Sequence, residues 1–339
     1  MNSKQEYLNK PFSHIYVERG IRQHIRTVAI LEHFPDADVI EIDHYKDVFC
    51  RTKQDYERQH DSQSLILAEK TGRKVYEGAK VCQSFGNEHF YYTSCIMNCL
   101  YDCEYCYLKG MYPSGNMVVF VNIEDIFAEV EDLLEKHDVY LCVSYDTDLM
   151  PLEAVTGYAG EWMRFAAKHC NGLKIEIRTK SGYDFGRIEG SIPDNVIIAY
   201  TLSPEPVIKA CEHGTASFDG RLNSAKSVLM RQGRVRLCFD PVIYCRNWKS
   251  EYEELIRRAF HEIPADKVSD VSLGSFRISQ TYLKKMRKAM PDSAVVQFPY
   301  ENTDEVYHYP AALMKEMEDS VREMLLGYIA ADKLFLWDE

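Results

Sequence analysis

From Glu88 onward, short apolar runs of strand length alternate with longer stretches of helical periodicity, and this rhythm constrains the chain more than any other feature. Repeated βα units imply a parallel sheet whose strands are covered by helices. The strand candidates are His89 to Thr93, Tyr140 to Ser144, Leu173 to Arg178, Val196 to Leu202, Val235 to Phe239 and Val268 to Leu273. Among the helical stretches between them, I-E-D-I-F-A-E-V-E-D-L-L-E-K-H follows Asn122 as a candidate N-cap. In S-E-Y-E-E-L-I-R-R-A-F-H-E-I, Ser250 and Glu253 have capping-box spacing. Six such units curve without closing. The expected fold class is therefore α/β, a partial (βα)6 TIM-type barrel whose strand C-termini face a lateral cleft, where active sites of parallel α/β folds sit.

Ahead of that region, residues 1–85 read as a small N-terminal α/β cap and linker, with 86–339 as the barrel and its C-terminal extension. R-G-I-R-Q-H-I-R-T-V-A-I-L-E-H-F reads as helical, and D-V-I-E-I-D alternates like a strand. Residues 50–80 are strongly polar and read as a loop or linker. After Pro310 a final amphipathic helix closes the chain. No apolar run approaches the roughly 18 residues needed to span a bilayer, and M-N-S-K-Q-E-Y has no apolar signal region. The expectation is a cytoplasmic protein whose eleven cysteines stay reduced and free to bind metal. A net charge of −12 argues against a large, non-specific grip on nucleic acid, which depends on Lys and Arg displacing counterions.

Four of the cysteines crowd into F-Y-Y-T-S-C-I-M-N-C-L-Y-D-C-E-Y-C-Y, from Phe90 to Tyr107. Cys99, Cys103 and Cys106 have the spacing C-x3-C-x2-C. Three thiolates on one short loop can hold three irons of a cubane cluster and leave the fourth open to a substrate or cofactor. A zinc site completed by Cys95 is the chemical rival, although structural zinc sites usually draw on two separated cysteine pairs. The loop follows the first barrel strand, at the end where active sites form.

This motif, flanked by aromatic residues, resembles the radical S-adenosylmethionine superfamily. D-C-E-Y-C-Y-L-K-G, V-F-V-N-I-E-D-I-F-A, T-D-L, T-K and H-G-T-A-S-F-D-G-R-L-N-S-A-K occur in the order found in one branch, the spore photoproduct lyase family. The resemblance implies a 4Fe-4S cluster on Cys99, Cys103 and Cys106, with S-adenosylmethionine on the open iron. It implies reductive cleavage to a 5'-deoxyadenosyl radical, which takes hydrogen from a methylene bridge joining two thymines. An electron donor such as flavodoxin or ferredoxin is implied, and a monomer is expected. Tyr107 resembles the family tyrosine beside the adenosine and the radical relay, and Tyr105 its companion on the substrate side. Thr147 and Asp148 align with a Ser-Asp pair that contacts the cofactor; Lys180, Thr201 and Ser203 fall at strand ends that hold its methionyl or ribose groups. Asp219 and Arg221 read as caps of the following helix, with no catalytic role.

Two departures stand against these agreements. In the family, a cysteine three residues before the Asp of the Ser-Asp pair returns the hydrogen atom to the product radical; here that position is Tyr145. Cys142 lies three residues earlier, with the wrong parity for the same strand face. Hydrogen return from a phenol, Tyr145 or Tyr105, is chemically possible. Near the C-terminus the family has a basic hairpin that enters duplex DNA, whereas V-V-Q-F-P-Y-E-N-T-D-E-V-Y-H-Y-P is shorter and acidic, which implies that the wedge is missing. The expected activity is a carbon–carbon lyase on a thymine-dimer lesion presented as a dinucleotide or single strand. A paralogue acting on a free nucleoside or other small molecule, and a non-catalytic iron–sulfur protein binding nucleic acid, are the alternatives.

Overall fold

The computed structural model describes residues 12–79 and 82–337. The reading of the first seven residues as free of a signal lies outside them. The chain divides into two compact units: the part up to Leu100 with Met111–Ile177, and Tyr101–Gly110 with the part from Arg178. In chain order the strands begin β1 (His14–Glu18), β2 (Asp38–Ile42), β3 (Leu65–Ala68), β4 (Val75–Glu77), β5 (Phe90–Thr93) and β6 (Ile96–Met97). They continue with β7 (Asp102–Cys103), β8 (Met117–Phe120), β9 (Val139–Cys142), β10 (Leu173–Thr179), β11 (Val196–Thr201) and β12 (Glu212–His213). The last are β13 (Arg234–Val242), β14 (Val268–Ser275), β15 (Arg277–Ser279), β16 (Glu301–Thr303), β17 (Val306–His308) and β18 (Leu334–Leu336).

All six strands expected from the sequence form: β5, β9, β10, β11, β13 and β14. In the first unit β5 pairs in parallel with β9, and β9 with β10, while β4 adds an antiparallel edge to β5. A second layer there has the order β2-β1-β3-β8-β6. In the second unit β11, β13, β14 and β18 pair in parallel. V-I-I-A-Y-T in β11 is buried throughout, as expected of a parallel strand covered on both faces. The helix Ile123–Leu134 buries Ile123, Ile126 and Val130 along one stripe. Trp162 and Phe165, on the helix Tyr158–Lys168, pack on Phe127, with ring centroids 4.8 and 4.4 Å from it. Among the described residues no helix is long and apolar enough to cross a membrane.

Several local readings change. The 50–80 stretch is not a plain linker: it holds the helix Tyr56–Asp61 and the fully buried strand β3, which pairs in parallel with β1 and β8. L-I-L-A is too short a run to stand out beside so polar a neighbourhood, and only the sheet makes it central. Asn122 occupies the N-cap position, but its amide binds the Lys70 backbone, accepting from N at 2.8 Å and donating to O at 3.1 Å, rather than capping. The expected capping box at Ser250 is likewise replaced: the helix Trp248–Glu262 starts earlier, after Asn247, and Ser250 Oγ donates to the Asn247 carbonyl at 2.9 Å. The C-terminal helix is present as Ala311–Leu326.

The expectation of a missing hairpin is also corrected in shape. β16 and β17 form a two-residue hairpin, with Asp304 and Glu305 both at positive φ (48° and 65°), next to β15. Its exposed tip is acidic, without basic groups that would meet phosphates.

Candidate active site

The chain that leaves β5 carries the cysteine motif, and each unit fixes its own part of that motif. In the first unit, the Cys99 carbonyl accepts from Gln63 Nε2 at 2.9 Å and lies 3.1 Å from His60 Nε2. Its neighbour Asn98 adopts φ 70°, a left-handed conformation that Asn tolerates. Asn98 donates to the carbonyls of Ser114 (2.6 Å) and Asn116 (2.9 Å) and accepts from Tyr56 Oη at 2.8 Å. The residues once read as linker therefore hold the first cysteine in place.

In the second unit, β7 pairs antiparallel with β12, setting Cys103 opposite Glu212 and Asp102 opposite His213. Glu104 N donates to the Cys211 carbonyl at 2.8 Å, and Glu104 Oε1 lies 3.0 Å from His213 Nε2. The Cys106 amide then closes a turn onto the Cys103 carbonyl at 3.0 Å. One use of the E-H-G-T-A-S-F segment is thus to clamp the second half of the cysteine loop. Ser217, not Asp219 or Arg221, caps the helix Phe218–Met230, accepting from Gly220 N at 3.2 Å; Asp219 is exposed and pairs with Arg258.

Arg221 instead lies fully buried in an ion pair with Glu212, whose side chain is equally buried. Its guanidinium also donates to the carbonyls of Thr201 (2.9 Å) and Ala216 (3.0 Å) and to Thr215 Oγ1 (2.8 Å). Glu212 further accepts from Ser203 Oγ at 2.7 Å and from the buried Tyr105 hydroxyl. Burial alone would raise the Glu212 pKa, but Arg221, Lys180 and the Tyr105 hydroxyl outweigh it and hold the carboxyl below its ordinary value. Lys180 Nζ stands 5.6 Å from the centre of the Tyr105 ring. Burial opposes its charge, but Cys103 and Glu212 leave the ammonium's pKa above its ordinary value. Tyr105, Lys180, Thr201 and Ser203 thus come together around Glu212. Glu212 carries no local signal: a lone glutamate at a helix end matches no motif, and the pairing of β7 with β12 is what makes it central.

In the first unit, Tyr145, Thr147 and Asp148 follow β9. Thr147 is buried, and Asp148 Oδ1 accepts the Met150 amide at 3.1 Å, just ahead of the turn Met150–Leu152. Cys142 is buried in β9, opposite Tyr92 of β5. The ends of these two strands are tied by a bridge between Ser94 and Ser144 and by a hydrogen bond from Ser94 Oγ to buried Asp146. Tyr107 is half-buried, and its carbonyl accepts the Gly110 amide at 3.0 Å. Cys95 is fully buried, and burial pushes its thiol up to about 11.

By residue type, three cysteines match the donors of a cubane cluster with one open iron, while among the described residues no group of three His, Cys, Asp or Glu is placed to hold a metal ion. Cys99, Cys103 and Cys106 form no disulfide, and burial raises the Cys106 thiol above its ordinary pKa, offset in part by Lys180 and Lys109. The family model described as spore photoproduct lyase matches residues 88–318. A spore photoproduct lyase from Clostridium acetobutylicum is 26% identical over 60% of this chain and 61% of its own length; one from a Geobacillus species is 22% identical over 51% and 52%. The chain thus matches somewhat over half the length of these curated relatives. Among solved structures, spore photoproduct lyase complexed with dinucleoside spore photoproduct superposes with a TM-score of 0.81, at 18% identity, over 96% of this chain and 99% of that one. A variant of that enzyme with bound AdoMet and dinucleoside spore photoproduct gives 0.80 over the same shares. The expected radical S-adenosylmethionine fold is therefore the fold of this chain, and the chain belongs to the spore photoproduct lyase family.

Proposed function

We propose that this protein is a radical S-adenosylmethionine lyase that splits the methylene bridge of a spore-photoproduct-type thymine dimer. The observation that carries this reading is the C-x3-C-x2-C loop on the chain leaving β5, inside the region matched by the family model. Cys99, Cys103 and Cys106 would hold a 4Fe-4S cluster, which with S-adenosylmethionine supplies a 5'-deoxyadenosyl radical on one-electron reduction. Lys180 would pair with the methionyl carboxylate, while Tyr107, Thr147, Asp148, Thr201 and Ser203 would bound the rest of the cofactor. Tyr105, held by Glu212, would face the substrate as a rigid wall. A flavodoxin- or ferredoxin-type carrier would supply the electron.

The substrate form follows from the charge at the hairpin. Extruding a lesion from duplex DNA costs a few kcal/mol, offset in other enzymes by wedges and phosphate contacts; Asp304 and Glu305 at this tip repel phosphate instead. A dinucleotide or single strand is thus the preferred substrate. The same acidic tip favours, as the second reading, a paralogue acting on a nucleoside-sized molecule.

The test is anaerobic reconstitution followed by incubation with dithionite, S-adenosylmethionine and either synthetic dinucleoside spore photoproduct or a lesion-bearing duplex. About four irons per chain, 5'-deoxyadenosine and thymine release from the dinucleoside are expected, with slower reaction on duplex. Retention of iron and cofactor cleavage by Cys99→Ala would defeat the cluster assignment, and equal rates on both substrates would defeat the argument from the hairpin.

A further inference from the structure

The position from which the family returns its hydrogen atom holds Tyr145 here, yet the structure supplies a thiol beside it from elsewhere in the chain. Cys82 lies on the loop between β4 and β5, its backbone N donating to the Ala79 carbonyl at 2.9 Å. Its Sγ is 3.4 Å from the Tyr145 hydroxyl, within hydrogen-bond range for sulfur. Tyr145 in turn stacks on Tyr92 of β5, with ring centroids 4.1 Å apart and planes 25° apart. Because β5 and β9 are parallel neighbours, the pair lies at their C-terminal ends, the edge from which the chain departs toward Cys99. Both side chains are half-buried, as a group that must meet substrate requires. Cys142, by contrast, is buried within β9.

The geometry points to Cys82 as the hydrogen-atom donor of the reaction, with Tyr145 as the group that restores it. This rests on the lyase reading above. In the step, the substrate-derived carbon radical takes the hydrogen of the Cys82 S–H bond; a C–H bond forms and the unpaired electron moves to sulfur. The Cys82 thiyl then takes the hydrogen of the Tyr145 O–H bond, which re-forms the thiol and leaves a phenoxyl radical. One electron from the flavodoxin- or ferredoxin-class carrier that serves the cluster, with one proton from water, returns the phenol. Burial, with Cys82 alongside, holds Tyr145 protonated well beyond the physiological range, so the O–H hydrogen is present when needed.

The test uses the reconstituted holoenzyme with synthetic dinucleoside spore photoproduct in 2H2O. The wild-type protein should place one solvent-derived deuterium in a thymine methyl group per repair event, since a half-buried thiol exchanges with solvent. Cys82→Ala and Cys82→Ser should keep iron content and cofactor cleavage, which proves folding, yet lose at least tenfold in thymine yield and carry no label. Tyr145→Phe should give a labelled first turnover and then stall, while Cys142→Ala should behave as wild type. Cys82→Ala with wild-type yield and label overturns the assignment, as does a Tyr145→Phe protein that fails in its first turnover while Cys82→Ala does not. A wild-type protein that cleaves the cofactor but releases no thymine overturns the lyase reading, and the donor assignment with it.

Discussion

Replacing Arg221 with methionine isolates the element that holds the second half of the cysteine loop. Methionine has similar bulk, so the change removes charge and donors more than volume. Glu212 would keep its Tyr105 and Ser203 donors but lose its buried ionic partner, and the carbonyls of Thr201 and Ala216 would lose theirs. Breaking one side of a buried pair costs about 3–5 kcal/mol, because the remaining charge is left uncompensated. A loss of about 4 kcal/mol is expected, a large share of the 5–15 kcal/mol typical of a folded protein. Guanidinium unfolding of the apo protein under reducing conditions measures it, as a lowered midpoint. Glu212→Leu combined with Arg221→Met removes both charges, and the double variant should be more stable than Arg221→Met alone. Because Glu212 is held below its ordinary pKa, its contribution is present above about 4.5 and lost as the pH falls through the folded value. The wild type should therefore resist acid unfolding to a lower pH than Arg221→Met. A loss under about 1 kcal/mol, or a double variant no better than the single, would refute the view of Glu212 and Arg221 as one mutually compensated unit.

Glu153 behaves in the opposite sense: burial pushes its carboxyl up to about 7, and its two oxygens accept the amides of Ala159 and Gly160. Its contribution is full below an ordinary value of 4.5 and is lost as the pH rises through 7, so stability should fall by about 3 kcal/mol across that window; Glu153→Gln should flatten the fall in urea titrations at several pH values. Removing the Gln63 side chain, which donates to the carbonyls of Cys99 and Gly115, should cost about 1–3 kcal/mol. Incomplete iron uptake by Gln63→Ala on reconstitution would accompany that loss. At the acidic hairpin, Asp304→Asn with Glu305→Gly supplies the residues that a turn with two positive φ angles favours, and should raise stability by roughly 1 kcal/mol in thermal unfolding. Trp162→Ala should cost about 3–5 kcal/mol, since its indole is fully buried against Phe127 and Phe165.

Local pattern was enough to locate six strands of the parallel sheet along the chain, because strands such as V-I-I-A-Y-T are apolar along their whole length and are separated by helices of clear period. It also singled out Cys99, Cys103 and Cys106 as the proposed cluster ligands, since their spacing is local and survives any arrangement of the rest. Tertiary structure decided what depends on residues far apart in the chain. The strand L-I-L-A became a sheet centre only by pairing with β1 and β8. Arg221, read as a helix cap, turned inward because β12 brings Glu212 beneath it, and an ion pair between buried partners is invisible to local pattern. Cys82 likewise sits in a loop with no motif around it, 63 positions from Tyr145, and gains a chemical partner only when β5 and β9 lie side by side. Spacing encodes contacts made within one turn or one loop; the groups around the cysteine loop are assembled by strand pairing, whose register no single segment carries.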